Sequence, residues 1–199
     1  MCSSLVPLLV STRNTHKVRE IRTILGGSFE VSDLSLLLAM PEVEETGPTF
    51  EDNATLKAVA ASLLFDGWVI ADDSGLEVDA LGGAPGVYSA RYAGPAAVDA
   101  ENNALLLRNL EGRHGGDRLA RFRCVIVLAR SGRKLATFSG AVEGVIAPQP
   151  RGTQGFGYDP LFVPDGFCET FGQLPPATKN RLSHRARALG KLRDWGGWC

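Results

Sequence analysis

The stretch WVIADDSG, residues 68–75, combines a short apolar run with two adjacent carboxylates. The run Trp68–Ala71 has the pattern of a strand that is buried on both faces of a sheet. Charges at the end of such a strand must be solvated, paired or bound to a metal. Because ligands of open α/β sheets bind at that end of the strands, the sequence predicts a site at Asp72 and Asp73. Both carboxylates reach one site only if the chain turns near Asp73, and Ser74-Gly75 permits such a turn.

Helices and strands alternate around this stretch. Thr49 followed by Asp52 has the pattern of a capping box, which predicts that a helix begins just after Gly47 and Pro48. In chain order we predict strand 5–12, helix 17–25, strand 29–33, helix 50–65, strand 68–71, loop 81–94, helix 99–110, hairpin strands 121–129 and 134–146, and a C-terminal helix from Leu182 to Trp195. This order predicts the α/β class, with a mixed central sheet flanked by helices.

The composition is that of a globular protein with a core, since 44% of the residues are hydrophobic and 22% are charged. With 21 Lys and Arg against 22 Asp and Glu, the formal net charge is −1, which excludes a polyanion binder driven by its overall field. The length of 199 residues predicts a single domain over residues 1–199.

The sequence gives no sign of a membrane or secreted protein. No apolar run approaches the ~18 residues that a membrane helix needs. The N-terminal stretch MCSSLVPLLV lacks a basic region, so we expect no signal peptide and a cytoplasmic location. Cys2, Cys124, Cys168 and Cys199 lack any CxxC spacing, which argues against a zinc site and against a disulfide framework.

A polar turn joins the first predicted strand to the first predicted helix. It reads STRNTHK from Ser11 to Lys17 and offers hydroxyls, backbone N–H groups and a lysine, all of which bind phosphate oxygens. The spacing is not that of a P-loop. The alternative is that this Ser, Thr and Asn cluster only caps the helix.

Two further carboxylates, Glu44 and Glu45, precede Thr46-Gly47-Pro48 and could complete a site of oxygen ligands. Such ligands suit Mg²⁺, which typically uses one or two carboxylates plus substrate phosphates. The alternatives are that Glu44 is a solvated surface residue and that the two aspartates only bind nearby backbone N–H groups in a turn.

Aromatic and cationic groups mark the second half of the chain. Two glycines flank Phe156 in the segment GFGYD, residues 155–159, and a base could stack on that ring. The alternative is a tight turn with Phe156 in the core. Ser183-His184-Arg185 lies in a basic segment, where an arginine fork can hold a ligand, although a solvated amphipathic helix accounts for most of these charges. Together the acidic, cationic and aromatic groups favour metal-assisted attack on a phosphate ester.

Over nearly its whole length the sequence resembles the inosine triphosphate pyrophosphatase family, which hydrolyses deaminated purine nucleoside triphosphates. The segments that carry the resemblance are Ser11–Glu20, Glu44–Ala58, Ile70–Gly94, Gly152–Phe162 and the closing TKNRLSHRARAL. The resemblance implies an elongated mixed sheet flanked by helices, two lobes with a nucleotide cleft between them, and a homodimer.

The resemblance also assigns the site residues. Glu44 and Asp73 match magnesium ligands, Asp73 also matches the residue that accepts a proton, and Asp72 would support that site. Arg13 stands where the family usually has glycine in its phosphate-binding loop. The positions that match substrate-binding residues are Thr12, Arg13, Asn14, Thr15, His16, Lys17, Ser74, Phe156, Gly157, Tyr158, Asp159, Lys179, His184 and Arg185.

The implied reaction is the Mg²⁺-dependent hydrolysis of ITP, dITP and XTP to the monophosphate and pyrophosphate, with water attacking the α-phosphorus. Lys17 and Lys179 would bind the phosphates, and Asp73 would help to activate the water. Arg185 can only donate hydrogen bonds, which favours hypoxanthine and xanthine, whose O6 accepts, over adenine, whose amino group donates.

Three other functions compete with this one. A pyrophosphatase of related fold that acts on modified pyrimidine nucleotides would differ in its substrate profile. A nucleic-acid binder that uses the basic C-terminal helix has no motif in its favour. A glycosidase that uses Asp73 and Glu44 would leave the loop at Thr12 unexplained. We therefore expect a purine nucleotide as the partner, and neither nucleic acid nor a membrane.

Overall fold

The computed structural model describes residues 5–37 and 40–198. Its strands are β1 (Val6–Val10), β2 (Phe29–Asp33), β3 (Trp68–Val78), β4 (Leu119–Arg130), β5 (Arg133–Ile146) and β6 (Phe162–Pro164). Its helices are α1 (Thr15–Leu25), α2 (Phe50–Ser62), α3 (Asp99–Asn109), α4 (Pro176–Leu182) and α5 (His184–Arg193). Cys124 and Cys168 carry free thiols. Cys2 and Cys199 lie outside the described residues, as does the start of the N-terminal stretch MCSSLVPLLV.

Within the described residues, the strands form one sheet in the order β2-β1-β3-β4-β5-β6. Strand β1 pairs in parallel with β2 and with β3, whereas β5 pairs antiparallel with β6. Parallel pairing at one end and antiparallel pairing at the other make this a mixed sheet, which confirms the predicted α/β class. No helix in the described part of the chain is long and apolar enough to cross a membrane.

Capping side chains explain where the first two helices begin. The Asn14 side chain accepts hydrogen bonds from the backbone N–H groups of His16 and Lys17, so α1 begins two residues earlier than predicted. The Thr49 hydroxyl accepts from the backbone N–H of Asp52, and α2 begins at the predicted position.

Two predicted boundaries are wrong. The chain does not turn near Asp73, because β3 continues to Val78 and its two carboxylates lie on opposite faces of one extended strand. The C-terminal helix is interrupted at Ser183, whose backbone is extended with ψ of 160°, so that α4 and α5 are separate helices. Residues 81–94 form a loop as predicted, with a short 3-10 helix at Gly86–Arg91.

The chain divides into two compact units. Unit 1 comprises the described residues of 1–73, 124–140 and 185–199, and unit 2 comprises residues 74–123 and 141–184. The largest core cluster of unit 1 packs α1 and α5 against β1, β3 and β4 through residues such as Ile21, Leu189, Leu8, Ile70 and Ile126. The core of unit 2 includes Leu76, Leu106, Phe122, Phe162 and Phe171. That residues 1–199 act as a single domain stays a prediction.

Candidate active site

The polar turn before α1 is a surface loop with a fixed backbone. Arg13 to His16 are exposed, and the Thr12 hydroxyl accepts from the backbone N–H of Asn14 at 3.2 Å. Arg13 donates to the carbonyl oxygen of Met40 at 2.9 Å. Among the described residues, Ser131 is the only residue other than glycine with a positive φ, so arginine at this family glycine position causes no backbone strain. The turn therefore presents its polar groups to solvent without distortion.

Asp72 lies at the centre of a buried ion-pair cluster in unit 1. Its carboxylate lies 3.2 Å from the Lys17 ammonium and 3.0 Å from the Arg185 guanidinium, which also pairs with Glu20. Burial raises the pKa of Asp72, but the charges of Lys17 and Arg185 outweigh burial and hold that pKa well below its usual range. Asp72 is therefore ionised at any physiological pH and fixes the position of Lys17.

Asp73 faces a different set of groups on the other side of β3. Its carboxylate accepts a hydrogen bond from the Asn53 amide at 3.2 Å and lies 3.4 Å from the Lys57 ammonium. Burial raises the pKa of Asp73, and the nearby lysines do not fully offset that effect. Asp73 is therefore more basic than an ordinary aspartate, as a proton acceptor should be.

Helix α2 positions both partners of Asp73. Asn53 and Lys57 are four residues apart and lie on one side of the helix. The Asn53 oxygen also accepts from the backbone N–H of Gly47 at 2.8 Å, which ties the preceding loop to the helix. A Cβ at Gly47 would lie 2.5 Å from the Asp52 Cβ, so this close approach requires glycine. The loop that carries the glutamates is thus fixed relative to Asp73.

The two glutamates of that loop differ in their contacts. Glu44, the predicted metal ligand, is exposed, whereas Glu45 accepts a hydrogen bond from the Lys57 ammonium at 2.6 Å. Lys57 also donates to the backbone oxygen of Asp72 at 2.9 Å. Lys57 therefore contacts Glu45, the Asp73 carboxylate and the backbone of Asp72. Because Glu45 lies beside Asp73 in this way, we add it to Glu44 as a candidate metal ligand.

The donor set near Asp73 consists of carboxylate oxygens. Within residues 5–37 and 40–198, no three His, Cys, Asp or Glu side chains lie close enough together to hold a metal ion. A metal here would take one or two protein carboxylates and complete its shell with water and substrate. These ligands fit Mg²⁺, which dehydrates reluctantly and prefers oxygen.

In unit 2, a short loop holds the aromatic residue singled out from the sequence. Asp159 accepts from the backbone N–H of Phe156 at 2.9 Å and from the Lys179 ammonium at 2.5 Å. That ammonium also lies 4.7 Å from the centroid of the half-buried Phe156 ring. The buried Tyr158 hydroxyl donates to the carbonyl oxygen of Ser89 at 2.9 Å. Phe156, Asp159 and Lys179 therefore form one cluster.

Three predicted substrate-binding residues contact other groups of the protein in this structure. Lys179 is only 4% exposed and its ammonium is bound by Asp159, and its contact with phosphate stays a prediction. Arg185 is 1% exposed and is engaged by two carboxylates, which leaves its predicted contact with the purine O6 without support. His184 is buried and stacks on Phe122, with ring centroids 4.9 Å apart. The two buried cations have thus found carboxylate partners inside the protein, and His184 has an aromatic neighbour.

Two residues of this site were not predicted from the sequence, namely Asn53 and Lys57. They border the buried face of α2, which Ala54, Ala58 and Ala61 mark. Polar residues four apart beside such an apolar stripe indicate a polar contact with the neighbouring element, because a long polar side chain there must find a partner.

Adjacent carboxylates on β3, each within ion-pair distance of a lysine, form the candidate active site of an enzyme on this α/β fold. Comparison with known proteins agrees with that class. A model of the Ham1 family matches residues 8–195. A dITP/XTP pyrophosphatase of Geobacter sulfurreducens is 52% identical over 192 residues, which cover 96% of this chain and 96% of that protein.

Further relatives extend the same result. A dITP/XTP pyrophosphatase of Bacillus licheniformis is 48% identical and covers 93% of this chain and 95% of its own. The solved structure of the Staphylococcus aureus Ham1 protein matches with a TM-score of 0.84 at 41% identity, covering 94% of this chain and 96% of that chain. The chain belongs to the Ham1 family, which confirms the resemblance that its motifs predicted.

Proposed function

We propose that the chain is a nucleoside triphosphate pyrophosphatase that hydrolyses the deaminated purine nucleotides ITP, dITP and XTP to monophosphate and pyrophosphate. The observation that carries this proposal is the contrast between neighbouring carboxylates: Asp72 is paired with Lys17 and Arg185, whereas Asp73 faces Asn53 and Lys57. In keeping with these contacts, burial raises the pKa of Asp73, whereas the cations outweigh burial and lower the pKa of Asp72. Groups whose pKa values are pushed apart have separate roles in acid–base chemistry. The names of the relatives supply the substrate class.

Asp73 acts on the attacking water. Asn53 and Lys57 hold its carboxylate from α2, so that one oxygen accepts the proton of a water molecule as that water attacks the α-phosphorus. The positioning of Asp73 by two fixed donors contributes more to the rate than its basicity alone, because the water and the phosphate must meet in a near-attack geometry.

Mg²⁺ would be held by Glu44 and Asp73, with Glu45 beside them. When bound, it neutralises the charge that develops on the phosphates. Lys57 keeps Glu45 and Asp73 close together in spite of their like charges, because its ammonium contacts both.

The loop Thr12–Lys17 binds the phosphates. Lys17 is the cation of this loop, and Asp72 keeps its ammonium at a fixed position. Arg185 holds Asp72 in turn and thereby supports Lys17 from the buried side. We assign Arg185 this supporting role instead of the predicted contact with the base.

The Phe156 ring binds the purine. The base stacks on this ring, beside the Lys179 ammonium that lies 4.7 Å from the ring centroid. We assign Ser74, Gly157 and His184 to the surroundings of the nucleotide on the family pattern, with a homodimer in the cytoplasm as the working form.

Chromatography of nucleotide digests tests this function. With Mg²⁺ present we expect ITP, dITP and XTP to give monophosphate and pyrophosphate, with ATP turned over much more slowly. EDTA should abolish turnover and added Mg²⁺ should restore it. IDP and orthophosphate as main products would show attack at the wrong phosphorus. A preference for modified pyrimidine nucleotides would instead support the alternative substrate class.

A further inference from the structure

The first turns of α3 hold the backbone of the Phe156 loop. The Asp99 carboxylate accepts a hydrogen bond from the backbone N–H of Gly157 at 2.6 Å. One helical turn later, the Asn103 amide donates to the carbonyl oxygen of Gly157 at 3.0 Å. One helix face therefore binds both backbone polar groups of the residue that follows Phe156.

Gly157 needs such support because of its conformation. Its φ is +61°, in the left-handed region that glycine enters freely but also leaves freely. Glycine has the largest conformational freedom to lose, so a loop that depends on it is mobile unless its polar groups are bound. The two bonds from α3 select one backbone conformation at Gly157.

The preceding part of the loop is fixed independently. Asp159 binds the backbone N–H of Phe156, and a Cβ at Gly155 would lie 1.9 Å from the Asp159 carboxylate. Phe156 is thus held by Asp159 on its own N–H and by α3 through Gly157. With both sides fixed, the backbone from which the ring projects is held in one conformation.

Asn103 gives a second reason to assign α3 a functional role. The side chain is buried, and in the described part of the chain its amide oxygen has no hydrogen-bond partner. A buried acceptor without a partner costs stability, which an apolar residue of similar size would avoid. The contribution of Asn103 therefore lies in the bond that its nitrogen donates to Gly157.

We propose that Asp99 and Asn103 are positioning residues that fix Gly157 and thereby orient the Phe156 ring for the purine base. This inference rests on the proposed function, because it takes Phe156 as the surface on which the base stacks. The two residues set the affinity for the base and leave the chemistry at Asp73 unchanged.

Variants of α3 separate this role from a structural one. Asp99→Ala removes the acceptor, and Asp99→Asn keeps an oxygen at the same place. Glu101→Ala is the matched control, because Glu101 lies in the same helical turn but accepts from the backbone N–H of Val98. We expect Asp99→Ala to raise KM for ITP by about threefold to tenfold, the effect of one lost hydrogen bond, with kcat within about twofold. Asp99→Asn should restore most of the affinity, and Glu101→Ala should lower Tm without changing KM.

Asn103→Leu provides the second arm. It removes the donor and also the buried acceptor without a partner, so we expect a similar rise in KM with little loss of Tm. Calorimetric titration with IMP should show the same loss of affinity in both variants, whereas titration with pyrophosphate, which has no base, should show none. KM and IMP affinity that change no more than in Glu101→Ala would overturn the proposal.

A double variant tests whether the effect passes through Phe156. In a Phe156→Ala background, Asp99→Ala should cause no further rise in KM, because the ring that it positions is gone. Fully additive effects would overturn the proposal. Failure of the proposed function is a different result: the wild-type protein would then release no pyrophosphate from ITP, while titration with IMP would still report on the two bonds to Gly157.

Discussion

The two units hold their functional side chains by different means. In unit 1, Asp72 and Asp73 belong to a regular strand and are fixed by charged partners from α1, α2 and α5. In unit 2, Phe156 belongs to an irregular loop that is fixed through its backbone by Asp159 and by α3. Charged partners change the basicity of a carboxylate, whereas backbone partners restrict the loop from which a ring projects. Changes in unit 1 should therefore affect turnover, and changes in unit 2 should affect base binding.

The largest expected effect is that of Asp73→Asn on turnover. Asparagine keeps the shape and can still accept from Asn53 through its oxygen, but it cannot take a proton from water. We expect kcat to fall by at least about 100-fold, the low end for a lost acid–base group. The fall should be equal for ITP, dITP and XTP, because Asp73 does not contact the base. Steady-state kinetics with each nucleotide checks this.

A near wild-type kcat in Asp73→Asn would remove Asp73 from the mechanism. Titration with IMP provides the folding control, since the base-binding loop lies in unit 2 and should bind as before. Loss of IMP binding together with kcat would mean that the substitution had disturbed the fold.

Most of the fold was predictable from the sequence because apolar periodicity and capping residues are local signals. Strand β1, the start of α2 and the hairpin of β4 and β5 follow from such patterns. The course of β3 did not follow, because a local pattern ends a strand at carboxylates. The structure continues it, since Lys17 and Lys57, distant in sequence, neutralise the two sides of the strand.

The candidate site was predictable in its residues but only partly in its pairings. The sequence indicated Asp73, Lys17 and Phe156 as chemically active types. It could not indicate that Arg185 binds Asp72, because that pair is 113 residues apart and depends on the packing of α5. For the same reason the sequence did not indicate that Asp159 binds the Lys179 ammonium. Long-range pairs of buried charges have no signature in one sequence.

The next effect in size is that of Phe156→Ala in unit 2. Stacking of a base on an aromatic ring is worth about 1 to 3 kcal/mol, so kcat/KM for ITP should fall by about fivefold to 150-fold. The loss should lie mainly in KM, in contrast to Asp73→Asn. Because stacking needs only a π-face, the residual turnover of ATP should fall by a similar factor. Phe156→Tyr is the matched control and should retain most of the affinity.

A fall in kcat with unchanged KM in Phe156→Ala would contradict the assignment of turnover to unit 1 and of base binding to unit 2. Unchanged affinity for pyrophosphate in this variant would support the assignment, because pyrophosphate carries no base and its binding should depend on unit 1 alone. Kinetics with ITP and calorimetric titration with pyrophosphate give the two answers separately.

The smallest expected effect is a change in the stability of unit 1 that distinguishes the two carboxylates. Burial raises the pKa of Asp73 in the folded protein, so the folded state binds more protons than the unfolded state between the two pKa values. The free energy of unfolding therefore decreases as pH rises through that window, and the full cost remains at neutral pH. Asp73→Asn removes this cost of burying a charge, and we expect a gain of up to about 2 kcal/mol at neutral pH, as is common when a destabilising group of a functional site is replaced. Each kcal/mol corresponds to roughly 2 to 4 °C in Tm for a protein of this size.

Asp72→Asn should instead lower the stability of unit 1, because the cations beside Asp72 hold its pKa below the unfolded value and its stabilising effect is fully present at neutral pH. Calorimetric scans without Mg²⁺ at acid and neutral pH would show the Tm of Asp73→Asn rising above that of the wild type only towards neutral pH. A Tm of Asp73→Asn below that of the wild type at neutral pH would mean that the bonds from Asn53 and Lys57 outweigh the cost of burying the charge, and that the two faces of β3 are stabilised in the same way.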